Sequence, residues 1–526
     1  MEFSGKKLLK GTILLSAAGF LTRILGFLYR IYLADLLGAE LLGIYQLIFP
    51  VYAVCFTIYG AGIQTAISQV VAADVGKNGE TKSSFRLFAR GTFLALMLSL
   101  LLSAMVSLKG DWIALHLVME PSLTPYLQIL SVLFPFCSIS ACVNGYYYGI
   151  QDAKVPAMTQ LLEQLVRIGF VFGASLFFAG SASPETNCRM AVWGLVAGET
   201  SSCLYNLFKL WRHCKKRRAS LLWQNSSSLK QSNIKTLFWL SSTLTGTRLL
   251  LTLLNSMESV LLPAMLRTYG CSQAEALSIY GILTGMCFSF LFFPSTVTNS
   301  FAVMLVPSIA DAHARKDIPM IRRSISLSIK YCILLGLLCT CLFFVFGREL
   351  GILFFHNEDA GSYLITLSWL CPFLYLGTTL TSIINGMEKT QVTFFITLGS
   401  IAVKIFVLLA AVPVWGIRAY LIGLLVSQLL QVIWELLYLS PYLSSKNTGQ
   451  ETAYHPWHWI VLPSLFLLCS GITAKNSYQW LGSCLSQKYA ILNLGITGGL
   501  LCILYVVFLW VMGILPPVTS RQESPF

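Results

Sequence analysis

Charge is what this 526-residue chain has least of. Only 11% of its residues are Asp, Glu, Lys or Arg, 56% come from the set AVILMFWYC, and the mean hydropathy is +0.71. A soluble domain carries about one quarter charged residues, so there is too little charged surface here to cover a soluble enzyme of this length. Disorder is excluded by the apolar and aromatic content. Paired cysteine motifs are also missing: the fifteen cysteines contain no CxxC and lie mostly in apolar runs (Cys55, Cys137, Cys142, Cys287, Cys339, Cys341), where Cys is a small apolar packer. Neither a redox centre nor a metal site is expected. Gly76-Lys-Asn-Gly-Glu-Thr-Lys-Ser83 lacks the glycine that precedes the lysine of a P-loop, so no ATPase is expected. His455-Pro-Trp-His458 has no nearby acid and reads as interfacial. Short outer loops with few carboxylates argue against a membrane glycosyltransferase, polymerase or ligase. No catalytic residue is assigned, and what remains is a polytopic membrane protein.

A hydrocarbon core of about 30 Å takes roughly 20 apolar residues per helix. That window predicts fourteen spans, at 11–33, 41–72, 87–108, 123–150, 156–180, 190–210, 236–266, 277–310, 325–347, 362–387, 392–413, 417–440, 458–474 and 490–515. The long spans 41–72 and 277–310 are open to splitting or strong tilt. The first helix reads as uncleaved, because its apolar pattern resumes past Arg23 to Leu33. The net charge of +14 is then a matter of depth. With the N-terminus cytoplasmic, inside segments carry 23 of the 36 Lys and Arg, eight of them between Lys209 and Lys235, and outside segments carry 7. The positive-inside rule supports an even number of spans with both ends cytoplasmic. Six cations fall within spans: Arg23, Arg30, Arg167, Arg248, Lys330 and Lys404.

The basic segment divides six spans from eight, and the halves echo each other. Gly149-Ile-Gln-Asp152, with Gln160, Glu163 and Arg167-Ile168, matches Gly386-Met-Glu-Lys389, with Thr397, Ser400 and Lys404-Ile405, at a constant offset of 237. Leu42-Gly-Ile-Tyr45 resembles Leu277-Ser-Ile-Tyr280, and Ala73-Asp74 resembles Ala310-Asp311. Six intervening spans make the repeat parallel, which implies a pseudo-twofold axis along the membrane normal and a substrate path between lobes. The expected architecture is an all-α polytopic membrane protein. It has an N-lobe over 1–210, a basic cytoplasmic linker over 211–235, a C-lobe over 236–442 and a C-terminal helix pair over 443–526.

Charges inside hydrocarbon are costly and usually face a cavity or a partner. Ser16, Gly19, Arg23, Gly26 and Arg30 follow a 3-4-3-4 spacing on one face of the first helix. Arg23 is near the midplane and Arg30 about 10 Å further out. A guanidinium stays protonated and offers a planar donor fork suited to a diphosphate; for Arg30, snorkelling to the interface is the other reading. Gln160, Glu163, Gln164 and Arg167 form a polar stripe on the fifth span, and Glu163 can pair with Arg167 at i,i+4. That pair is either structural or a gate whose partners exchange during transport. Arg248, Thr252, Asn255 and Ser259 line the seventh span, with Glu258 adjacent. Glu258 either binds a proton or cation or pairs with Arg248 or a first-span arginine. Lys404 is the repeat partner of Arg167, and Glu199 has no obvious partner.

Lys10-Gly-Thr-Ile, Leu21-Thr-Arg23-Ile-Leu-Gly26-Phe-Leu-Tyr-Arg30-Ile-Tyr, Leu37-Gly-Ala-Glu-Leu-Leu-Gly43-Ile-Tyr-Gln-Leu-Ile-Phe-Pro50 and Gly62-Ile-Gln-Thr-Ala-Ile-Ser68 resemble the stage V sporulation protein B family. So do Gly149-Ile-Gln-Asp-Ala-Lys-Val-Pro156, Gln160-Leu-Leu-Glu163-Gln-Leu-Val-Arg167, Tyr280-Gly, Pro294 and Val306-Pro307. That family belongs to the multidrug/oligosaccharidyl-lipid/polysaccharide exporter superfamily. The resemblance implies fourteen helices, two six-helix lobes plus a final pair, and alternating access. Related lipid II flippases carry an arginine in an Arg-x-x-Gly-Phe context that Arg23 matches. Their second first-helix arginine falls on Tyr29, beside Arg30, and their acidic residue at the start of the second helix falls near Ile44 or Tyr45, where this chain has no carboxylate.

The expected function is therefore a flippase of the bacterial cytoplasmic membrane for an undecaprenyl-diphosphate-linked saccharide, a peptidoglycan precursor in the first instance, that of spore cortex included. Arg23, Arg30, Arg248, Asn255 and Lys404 would bind substrate, and Glu163, Arg167 and Glu258 would gate or couple to an ion. No cofactor is expected beyond a coupling ion of open identity. Expected partners are the polyprenyl-diphosphate-linked saccharide, the lipid bilayer and cell-wall synthesis enzymes, with no nucleic acid. The alternatives are a cation-coupled multidrug exporter of the same superfamily, disfavoured because all seven Asp lie in loops or at span ends, and a non-transporting partner of a cell-wall synthase.

Overall fold

A computed structural model of the chain describes residues 2–78, 82–178, 183–219, 233–444, 457–484 and 489–514. Among the described residues every regular element is helical. The chain divides into two compact units, 1–281 and 282–526. Most of the basic linker, His455 and the middle of the Gly76–Ser83 segment lie outside the described residues.

The first unit contains α1 (Glu2–Phe56), a π-helical turn (Thr57–Ala61), α2 (Gly62–Asn78), α3 (Lys82–Leu108), the short α4 (Gly110–Trp112), α5 (Thr124–Gly149), α6 (Lys154–Phe177), α7 (Pro184–Ala219), α8 (Asn233–Tyr269) and α9 (Gln273–Gly281). The helices α1 and α2 run on as one apolar stretch, Ala17–Val75, of 59 residues. At about 1.5 Å per residue that is about 88 Å of helix, far more than one crossing of a bilayer core of about 30 Å. The break between the expected first and second spans is Gly38, at φ 71° and ψ 174°, a conformation that a residue with a Cβ rarely adopts. The core of this unit is built from Ile63, Ile67 and Val71 of α2, Phe88 of α3, and Cys142 and Tyr146 of α5.

The second unit holds a π-helical turn (Ile282–Cys287), then α10 (Phe288–Phe292), α11 (Ser295–Ala314), α12 (Ile318–Phe355), α13 (Glu358–Leu367), α14 (Cys371–Gly386), α15 (Thr390–Trp415), α16 (Ile417–Ser444), α17 (Leu462–Cys484) and α18 (Ala490–Val511). The expected span 277–310 is interrupted at Phe293 and Pro294. Proline cannot donate to the helical ladder and its ring crowds the preceding turn. Asp317 caps α12 by accepting from the Met320 backbone N–H at 3.0 Å, and Asn357 caps α13 by accepting from Ala360 at 2.9 Å. The final helices dock on α12: Leu334 and Phe346 bury against Leu467, Leu494, Leu501 and Tyr505, and Lys475 pairs with Glu349 at 2.5 Å.

Among the described residues twelve helices are long and apolar enough to cross a membrane, the 59-residue stretch being one of them. The helix ends matched by the repeat close with the same local turn, one that also follows α11 at Lys316. At the end of α5, Gln151 is left-handed (φ 58°), with Gln151 N–H to Tyr148 O at 3.0 Å and Asp152 N–H to Tyr147 O at 2.9 Å. At the end of α14, 237 residues on, Glu388 is left-handed (φ 61°), with Glu388 N–H to Asn385 O at 3.0 Å and Lys389 N–H to Ile384 O at 3.2 Å.

Candidate functional site

The polar stripe of the first helix is open at one end and closed at the other. Arg23 is exposed and makes no hydrogen bond or ion pair among the described residues. A side chain at Gly19 would meet nothing within 4 Å, whereas one at Gly26 would lie 3.8 Å from Nε2 of Gln164. The face thus opens around Arg23 and closes onto α6 one turn later. Beyond Gly26, Arg30 is half-buried, with Tyr45 as a close electrostatic neighbour. The hydroxyls of Tyr32 and Ser175 lie 2.5 Å apart and fasten α1 to the far end of α6.

That closed end meets the fifth-span stripe. Glu163 and Arg167 form the expected i,i+4 ion pair, both half-buried, and Arg167 Nη1 also reaches Gln164 Oε1 at 3.4 Å. Tyr29, Tyr45 and Glu199 lie in the electrostatic field of Arg167. Glu199, without a partner in sequence, joins this cluster from α7, with Ser140 and Glu163 as further neighbours. It is brought there by Gly194 and Gly198: a Cβ on Gly198 would sit 2.8 Å from the Glu163 carbonyl oxygen and 3.2 Å from Arg167 Cβ. Gly-x-x-x-Gly is the small-residue pattern that lets membrane helices approach closely, and it is the sequence signal that would have tied Glu199 to the stripe.

The seventh-span stripe lies in α8 and zips against the second span. Ser256 Oγ donates to the Pro50 carbonyl at 3.2 Å, Thr252 and Thr57 hydroxyls are 3.3 Å apart, and Arg248 Nη1 donates to the Ala61 carbonyl and Thr65 Oγ1, each at 3.0 Å. Arg248 is exposed and makes no ion pair with Glu258 among the described residues. The π turn at Thr57–Ala61 shifts the helical ladder, and Arg248 takes up the Ala61 carbonyl at its end. Asn255 is exposed and donates to Leu251 O at 2.9 Å within its own helix. Glu258 is buried and engaged.

In the second unit Lys404 is half-buried and engaged on α15. Lys330 donates to the Ile514 carbonyl at 2.5 Å, tying the end of α18 to α12. Glu435, outside the expected site residues, is 1% exposed on α16 and accepts from Thr381 Oγ1 of α14 at 2.6 Å. Gln428, Gln431 and Glu435 repeat at helical spacing, a signal as plain as the stripe on α6. Deep carboxylates are therefore present in both units, and the position of the Asp residues alone does not argue against ion-coupled export.

In chemical terms the first unit offers an unpartnered guanidinium, Arg23, on an open helical face. One turn on lies an acid–base cluster in which Arg167 is paired with Glu163 and Glu199 is a near neighbour. The first is equipped to meet an anion. The second holds α1, α6 and α7 together around a charge balance that a new anion or cation would disturb.

Comparison with known proteins agrees with this architecture. The chain is 27% identical over 426 residues to "Stage V sporulation protein B" of Bacillus subtilis (strain 168), covering 80% of this chain and 81% of that protein. It is 22% identical over 418 residues to "Lipid II flippase MurJ" of the same organism, covering 73% and 74%. The solved "Lipid II flippase MurJ, inward closed conformation" superposes with a TM-score of 0.66 at 12% identity, covering 96% of this chain and 100% of that one, which shows a shared fold. Residues 8–313, more than half of the chain, match the family of polysaccharide biosynthesis proteins, and the chain belongs to that family of multi-pass membrane proteins.

Proposed function

We propose that this protein is a flippase that translocates an undecaprenyl-diphosphate-linked saccharide, a peptidoglycan precursor first among them, across the bacterial cytoplasmic membrane by alternating access. The observation that carries this reading is Arg23: a guanidinium in the middle of an apolar helix, exposed and without a hydrogen-bond or ion-pair partner among the described residues. A charge so placed costs at least about 3 kcal/mol unless water or an anion reaches it, and a diphosphate is the anion its donor fork fits. A relative named as a lipid II flippase supports the same substrate class.

Arg23 is the primary diphosphate contact in this reading, with Arg30, Arg248, Asn255 and Lys404 as further binding residues. Arg248 uses Nη1 for Ala61 and Thr65 and keeps Nε–H and Nη2 for substrate. Glu163, Arg167 and Glu258 are the gating or ion-coupling candidates. Counting the 59-residue stretch as two crossings and α7 as one brings the twelve apolar helices to fourteen, with both termini cytoplasmic. Cell-wall synthesis enzymes are the proposed protein partners. The test is reconstitution of the full chain in vesicles with a fluorescent polyprenyl-diphosphate oligosaccharide. Wild-type protein is expected to move it between leaflets. Failure with every polyprenyl-linked sugar, alongside export of a cationic dye, would replace this reading with the multidrug exporter.

A further inference from the structure

Glu435 is a buried carboxyl with one oxygen satisfied and one stranded. On α16, Oε1 accepts from Thr381 Oγ1 at 2.6 Å and from Gln431 Nε2 at 3.2 Å. Oε2 is buried and has no hydrogen-bond partner. One turn before Gln431, the Gln428 amide packs on α14, where a Cβ at Gly377 would come within 2.7 Å of its Nε2. The seam Gln428–Gln431–Glu435 therefore lies along Gly377 and Thr381 and is lined by neutral polar groups; Glu435 and Gly377 are buried in it, while Gln428, Gln431 and Thr381 are half-buried.

Among the described residues no cation bonds to this carboxyl, and several charged or titratable side chains on the elements packed against α16 bond to other groups. Tyr375 of α14 donates to the Leu291 carbonyl at 3.0 Å, Arg322 of α12 to the Leu443 carbonyl at 2.7 Å and Lys330 of α12 to Ile514. Glu358 of α13 pairs with Arg348 at 3.5 Å, and the groups at hydrogen-bond distance of Glu435 are Thr381 and Gln431, not Lys404 of α15, Asp359 of α13 or Tyr438 on the same helix. An ionised carboxylate offers about four acceptor sites and is strongly disfavoured when buried without a cation. A metal ion would need several oxygen ligands, yet the Thr381 hydroxyl and the Gln431 amide present hydrogens to Oε1.

We propose that Glu435 is a proton-binding site of the second unit. It carries its proton on Oε2 while α14 and α16 are packed together, and releases it when their separation lets water reach that oxygen. Protonation then favours the closed seam and ionisation the opened one, so the site converts pH into the packing of two helices. This inference is independent of the substrate proposed above.

The test uses the full-length protein in phospholipid vesicles, followed by infrared difference spectroscopy as the pH is raised. The wild type is expected to show a carboxylic-acid carbonyl band that disappears with rising pH and is missing from Glu435→Gln. Thr381→Val removes a donor that favours the anion, so its band is expected to persist to about tenfold lower proton concentration. Amide exchange in Thr378–Ile384 is expected to speed up with pH in the wild type more than in Glu435→Gln, intrinsic rates cancelling in the ratio. Should Glu435→Gln fail to fold, the Thr381→Val shift alone decides the matter. Identical acid bands in wild type and Glu435→Gln, a Thr381→Val shift in the opposite sense, or bleaching of the band by sodium at constant pH would overturn the proposal, the last by making a metal cation the occupant.

Discussion

Gln151 and Glu388 adopt the same left-handed backbone, at φ 58° and 61°, 237 residues apart and each just past the end of a membrane helix. Neither is glycine, and each turn is closed by the same pair of backbone hydrogen bonds. The shared offset in sequence is thus a shared turn in structure.

A left-handed residue with a Cβ costs about 1–2 kcal/mol, and a β-branched one is worse placed still. Gln151→Val and Glu388→Val are each expected to destabilise the protein by about 1–2 kcal/mol relative to Gln151→Gly and Glu388→Gly. Thermal unfolding in detergent micelles checks this. Equal midpoints for Val and Gly at either position would show that the turn is not held as described.

The Glu163–Arg167 pair is half-buried and couples α6 to Glu199. Removing one partner leaves an uncompensated charge, so Glu163→Gln or Arg167→Gln alone is expected to cost about 1–3 kcal/mol, discounted for partial exposure. The double variant should cost less than the sum. A double-mutant cycle on thermal stability reads the coupling, and strict additivity would mean the two do not interact.

Close helix approach at Gly198 holds that pair in place. Gly198→Leu must push α7 away from the Glu163 carbonyl, which a Cβ would reach at 2.8 Å. A loss of about 1–3 kcal/mol is expected, together with slower translocation; the same substitution at Gly19, which faces open space, should leave the unfolding midpoint unchanged.

Lys475 of α17 lies outside the proposed binding residues. Lys475 holds Glu349 at 2.5 Å and donates to the Val345 carbonyl at 2.9 Å, which fixes α17 on α12. Lys475→Ala is expected to lower stability by about 1–2 kcal/mol while translocation per folded molecule stays near wild type. A translocation defect as deep as that of Arg23→Ala would remove the distinction.

What could be read in the sequence was local. The Glu163–Arg167 pair follows from four-residue spacing, and the repeat from turn residues that leave a mark. Partners supplied by a distant backbone leave none: nothing in the chain announces that Arg248 would bind the Ala61 carbonyl beside a π turn, or that Gly26 would meet Gln164. Glu199 and Glu435 lay between these cases. Their helical spacings were visible, but their burial depends on the neighbouring helix, α6 approaching Gly198 beside Glu199 and α14 presenting Thr381 to Glu435. The break at Pro294 was visible as a residue, though its depth within a long apolar run concealed it.

Arg23 is the proposed contact for the diphosphate of a lipid-linked saccharide, and a translocation assay reads that contact. Vesicles containing wild type, Arg23→Ala or Arg23→Lys are loaded with a fluorescent polyprenyl-diphosphate oligosaccharide, and the label reaching the opposite leaflet is quantified. Translocation should fall by at least about tenfold in Arg23→Ala, with partial recovery in Arg23→Lys, which keeps the charge but loses the planar fork. Unchanged translocation by Arg23→Ala, with the protein folded and correctly inserted, would contradict the account.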